Sequence, residues 1–179
     1  AFKEDIGITS DYDTDDPLNY SISPSGKDNV ADPEVSAKVD QVVFYMRTLK
    51  APPRRNADSP EVKEGENIFT QTGCAKCHVP SLTTGPSEIE PLNNKVFHPY
   101  TDLLLHDMGP GLDDGYSEGS AATSEWRTPP LWGLGLQEQS QGGQLFLLHD
   151  GRANSFEKAI GYHGGEGGAA RAAFLSLSE

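Results

Sequence analysis

The 179-residue chain has only two cysteines, three positions apart. A two-residue loop between them cannot staple distant parts of a fold, so a disulfide framework is excluded and their use must be chemical. Basic residues are also scarce. Fourteen Lys and Arg face 27 Asp and Glu, giving a formal net charge of −13, and without a Lys/Arg cluster neither nucleic acid nor anionic lipid is an expected partner. A basic partner protein stays open. No apolar run approaches the roughly 20 residues of a membrane span, and the longest local candidate, Leu145 to Leu148, has at best the length of a core strand. Leu, Ile, Val and Phe number 37, about a fifth of the chain, near the floor for folding on an apolar core alone. With 19 Gly and 13 Pro, much of the polymer must be turn and loop. A buried cofactor would supply part of the missing core. The chain has no initiator Met and no apolar leader, and it stops at Ser178-Glu179 after an apolar run, as expected of a fragment or a processed chain.

Residues 1–33 are acidic and proline-containing, without helical or alternating apolar period, and read as loop. Asp11, Asp13 and Asp15 mimic the opening of a calcium loop. Position six is Asp16 instead of Gly and position twelve is Ile22 instead of Glu, so a solvated acidic loop is preferred to calcium. From Asp32-Pro33-Glu34 to Lys50, the positions Val35, Val39, Val42, Val43, Met46 and Leu49 fall at helical spacing. The paired prolines of Ala51-Pro52-Pro53 end this helix and set a boundary near residue 51, dividing the chain into 1–50 and 51–179. A second helix is predicted to start at Ser59, with Pro60 and Glu61 in its first turn, and to run to the cysteines. Residues 79–155 read mainly as loop, of a length that usually wraps something. Ser155 opens a short helix ending near Gly164-Gly165, and Ala169 to Leu177 forms a last one.

Cys74-Ala75-Lys76-Cys77-His78 is the attachment signature of c-type haem, in which two thioethers hold the porphyrin and the adjacent His gives an axial nitrogen. One helical turn presents both sulfurs to one edge of the ring. A thioredoxin-like dithiol expects a strand before the pair, whereas here a helix comes before, and zinc would need two further ligands with no second Cys pair. A six-coordinate haem needs another donor from Met46, Met108, His98, His106, His149 or His163. Met46 belongs to the apolar face of the first helix and reads as a core residue. Met108 sits in a Gly/Pro loop, in His106-Asp107-Met108-Gly109-Pro110, thirty residues after His78, and reads as the distal ligand rather than a packing Met. Arg127 and Arg152 are weighed as propionate partners against plain surface arginines. Trp126 or Trp132 reads as a cofactor-pocket wall in preference to an electron relay. His149 reads as a hydrogen-bonded residue of a turn, and His163 as exposed or helix-capping.

Four ordered stretches resemble the di-haem cytochrome c peroxidase superfamily and, within it, the di-haem oxidoreductases. They are Gly73 to His78, Tyr100 to Leu112, Glu125 to Gly135, and Phe146 to Ala153. The resemblance implies two haems in two cytochrome c-like domains, with this chain like the second domain and residues 1–50 like the end of the first. It implies His78 as proximal and Met108 as distal ligand of an electron-entry haem, and a periplasmic setting. Only one Cys-x-x-Cys-His is present, so a stand-alone peroxidase is not expected and a partner half would be required.

The expected fold class is mainly α, a cytochrome c-like domain with long irregular loops and one covalent haem c. Its expected partners are a second haem domain or chain and a small redox donor protein. Peroxidase or thiol oxidoreductase activity at an open iron site, or a haem-bearing assembly module, stand as alternatives.

Overall fold

The computed structural model describes residues 33–117 and 119–177. The acidic loop and its Asp11, Asp13 and Asp15 lie outside the described residues. The chain divides between Lys50 and Ala51 into two compact units.

In the first unit, helix α1 spans Pro33–Thr48 and ends with Arg47 in its last turn, where a cation complements the helix dipole. Val39 and Val43 are half-buried, whereas Met46 is 59% exposed, which corrects its expected place in a core.

The second unit begins with helix α2, Pro60–Gln71. The Ser59 hydroxyl accepts from the Val62 amide at 3.3 Å, and Pro60 opens the first turn, where its missing N–H costs nothing. A short 3-10 helix, Cys74–Lys76, packs against α2. The loop region that follows holds two small antiparallel sheets that the sequence did not announce. Strand β1, Leu82–Thr83, pairs with β2, Val96–Phe97. Strand β3, Leu105–Asp107, pairs with β4, Glu125–Arg127, with His106 opposite Trp126. Helix α3, Leu134–Ser140, was also unanticipated, since it is two turns long and starts from Gly133 at φ 80° with no side-chain cap. Helix α4, Phe156–Tyr162, is capped by the Ser155 hydroxyl, which accepts from the Lys158 amide at 3.2 Å. A 3-10 turn, Gly165–Gly167, leads into α5, Gly168–Leu175, which packs on α4.

The described chain is therefore helix-rich, with five α-helices and two minimal sheets. Among the described residues the buried apolar side chains are Pro99, Leu112, Leu147 and Ala153, joined by buried Thr72, Thr101 and Thr128. No described helix is long and apolar enough to cross a membrane.

Candidate haem site

The turn after α2 places both thiols. Buried Thr72 caps the helix, its hydroxyl donating to the Ile68 carbonyl at 2.8 Å, and Gly73 at φ 89° lets the chain turn into Cys74–Lys76. Cys74 and Cys77 are free and half-buried. Burial, followed by the negative charges of Asp102 and Glu166, pushes the Cys77 thiol up, so it rests protonated.

His78 follows directly. Its amide donates to Cys74 O at 3.0 Å, and its Nδ1 lies 3.0 Å from the Tyr100 carbonyl. That carbonyl is aimed by a left-handed backbone at Tyr100, φ 56°, a conformation costing a side-chain-bearing residue about 1 kcal/mol. Buried Thr101 holds the strained turn: its hydroxyl donates to Thr128 O at 2.6 Å and accepts from the Leu103 amide at 2.8 Å. Burial lowers the His78 pKa against the opposing Tyr100 bond, so the ring is neutral, with its proton on Nδ1 and a lone pair on Nε2. Phe69 closes one side, its ring 6.3 Å from His78 and 5.7 Å from Tyr100.

Half-buried Met108 is delivered by β3, and its amide donates to Ser124 O at 2.9 Å. Beside it, two backbones touch with no room for side chains. A Cβ on Gly109, φ 74°, would come within 2.8 Å of the Gly165 amide nitrogen, and one on Gly164 within 2.7 Å of the Met108 carbonyl oxygen. A Cβ on Gly165, φ 45°, would collide with the Asp107 carbonyl. The glycine-rich run at 161–168 thus has a specific role, which is to let the 164–165 backbone lie against the Met108 segment.

An ionic group reinforces this contact. His106 Nε2 lies 2.8 Å from Asp102 and its Nδ1 3.0 Å from Glu166, whose other oxygen accepts from the Asp107 amide at 3.0 Å. The hydrogen bonds to Glu166 and then Asp102 raise the His106 pKa, and the same bond to His106 holds Glu166 below its ordinary value. Burial alone would raise Asp102, but the Leu104 amide, His106 and Thr128 outweigh it and its carboxyl lies low. Cys77, Asp102 and His106 bring donor atoms within 4.8 Å of one another, but both His106 nitrogens already face carboxylates. Glu166, sixty residues from His106, gave no local signal of this role.

The remaining candidates have protein partners. Arg127 donates from Nη1 to Leu103 O at 2.5 Å; Arg152 pairs with Asp150, donates to Gly111 O at 3.0 Å and lies over the Tyr162 ring. Trp126 donates from its indole nitrogen to Leu112 O at 2.8 Å, and the His149 ring lies flat on it, 3.5 Å away at 8°. Trp132 is 39% exposed beside Phe97. Exposed His98 bonds to Ser81. His163 caps α4, its Nδ1 2.8 Å from Ala159 O; it is half-buried rather than exposed, with its ring centroid 6.5 Å from that of His78.

Set against known proteins, the profile of the family described as "Di-haem oxidoreductase, putative peroxidase" matches residues 2–179. No curated protein and no solved structure matches the chain.

Proposed function

The chain belongs to the di-haem oxidoreductase family, a haem-dependent redox family, and from that premise we propose that it is a c-type electron-transfer domain relaying electrons to a partner haem. Its donor chemistry fits one covalent haem c. Two reduced thiols stand on one turn, and the adjacent imidazole is neutral, with Nδ1 anchored on a backbone carbonyl and Nε2 free. Such an anchor on the far ring nitrogen is what metal-bound histidines use to fix tautomer and direction. That His78–Tyr100 bond is the observation that carries the proposal. When bound, the haem supplies the one-electron redox change at iron.

The residues of the chain divide the rest of the work. Cys74 and Cys77 would hold the haem through thioethers, and the His78 imidazole and the Met108 thioether would be its iron ligands, the thioether favouring a higher reduction potential. The Gly109 and Gly164–Gly165 contact fixes Met108 by its backbone. Arg127 and Arg152 keep free guanidinium nitrogens with which to meet propionates. The overall architecture is then a cytochrome c-like domain at residues 51–179, preceded by the end of another domain at 1–50. With one Cys-x-x-Cys-His motif in the sequence, the second haem belongs to another segment or chain, and this one is not a peroxidase by itself. We place it in the periplasm, where such attachment takes place. A small redox protein with a basic face is the donor that suits a net charge of −13.

The test is the optical spectrum of the covalently loaded chain in both redox states, extended into the near-infrared, where thioether-to-ferric charge transfer absorbs. The expected result is a band that disappears in Met108→Ala. If the band is missing from the native chain and peroxide binds its iron directly, catalysis at an open site replaces the relay.

A further inference from the structure

His163 was expected to be exposed or to cap a helix, yet its surroundings repeat those of His78. In each ring Nδ1 sits on a backbone carbonyl, Tyr100 at 3.0 Å and Ala159 at 2.8 Å, which leaves both Nε2 atoms free. The other three histidines differ. His106 has both nitrogens on carboxylates, His149 is stacked on Trp126, and His98 is exposed on a serine. The His78 and His163 centroids are 6.5 Å apart with their planes inclined at 45°. Two imidazoles bound on opposite sides of one metal ion, with metal–nitrogen bonds of about 2.0 Å, have centroids about 6 Å apart. Met108 lies beside the His163 ring. Its methyl carbon and the His163 Cδ2 each lie 3.3 Å from the point where a Cβ on Gly167 would stand, so the missing side chain at Gly167 makes room for both donors.

We propose that His163 is a second distal donor, opposite His78 and in exchange with Met108 for the iron. The inference rests on His78 being the proximal ligand of a covalent haem. It assigns the site two alternative sixth ligands, one thioether and one imidazole, that select different reduction potentials. Loss of the thioether then gives a two-imidazole haem instead of an open iron.

The test uses the haem-loaded chain and reads ligation, not turnover. In Met108→Ala the near-infrared thioether band is expected to vanish while the ferric haem stays low-spin, with the electron paramagnetic resonance pattern of two imidazoles. Adding His163→Gln to that variant is expected to turn the iron high-spin. A Met108→Ala haem that becomes high-spin at once overturns the proposal, although Met108 remains the native ligand. A low-spin state that persists in the double variant overturns it too. If the native chain lacks the thioether band, the Met108 assignment fails. His163→Gln alone then decides: a high-spin product supports His163 and a low-spin one overturns it. Should the double variant not take up haem, the resonance pattern of Met108→Ala settles the question, because any low-spin pattern other than two imidazoles counts against His163.

Discussion

Thr101→Val tests whether the turn that aims the Tyr100 carbonyl at His78 is held by one hydroxyl. Thr101 is fully buried, donating to Thr128 O at 2.6 Å and accepting from Leu103 N at 2.8 Å. Valine has nearly the same shape and puts a methyl where the hydroxyl stands. The substitution leaves the carbonyl of Thr128, a residue only 6% exposed, without its donor, at a cost of about 1–3 kcal/mol. The Leu103 amide belongs to a residue 47% exposed and recovers water, so its loss is nearer about 0.5–1 kcal/mol. The expected total is about 1.5–4 kcal/mol, or about 6–15 °C in melting temperature for a unit of this size. Urea unfolding of the loaded chain, followed by circular dichroism and by the haem absorbance, measures it. Thr101→Ser is the control, since it keeps both bonds and gives up one methyl, about 1 kcal/mol. A Val variant within about 0.5 kcal/mol of the native chain, or a Ser variant less stable than the Val one, would refute the assignment.

The His106 group gives a pH signature. Its raised pKa means that stabilisation by the imidazolium is complete below the ordinary histidine value and lost as pH rises through the elevated one. Asp102 and Glu166 are depressed, so their contributions hold above the ordinary carboxylate range and fade on acidification. Glu166→Gln should therefore lower stability most near about pH 5–6, with the gap closing in alkali; a gap that widens with pH contradicts the pairing. Gly165→Ala should cost about 2–4 kcal/mol and weaken the Met108 band, because a left-handed backbone and a backbone collision coincide there. Gly111→Ala, in open space, should change stability by less than about 0.5 kcal/mol, and equal losses in the two variants would remove the special status of Gly165. Reduction of the chain by a basic donor should slow as salt rises from low to physiological ionic strength, and stopped-flow rates that ignore salt would exclude electrostatic docking.

Signals confined to a few neighbouring residues were readable in the sequence. Ser59, Pro60 and Glu61 announce the start of α2 because a cap is decided within one turn, and the predicted openings at Ser155 and near Ala169 fall within a residue of α4 and α5. The strands were not readable, since two or three residues are too few to show alternation, and their pairing joins positions such as His106 and Trp126 twenty apart. Met46 shows the converse error: a helical apolar period identified α1 but not whether that face is covered. The grouping of Cys74, Cys77 and His78 on one turn was legible because the three are neighbours in sequence. The approach of His163 to His78 was not legible, because the two rings meet only in the folded chain, across 85 positions of sequence.

The contact between the Met108 segment and Gly164–Gly165 limits how this part of the chain can evolve. Side-chain packing can be adjusted one methyl at a time, so a ligand held by side chains can be moved in small steps. Here backbone meets backbone, and any Cβ added at Gly109, Gly164 or Gly165 enters the van der Waals radius of a main-chain atom. Substitution at these three positions forces the main chain itself to shift, whichever side chain is introduced. Finer adjustment falls to the side chains beside the Met108 methyl, the His163 ring among them.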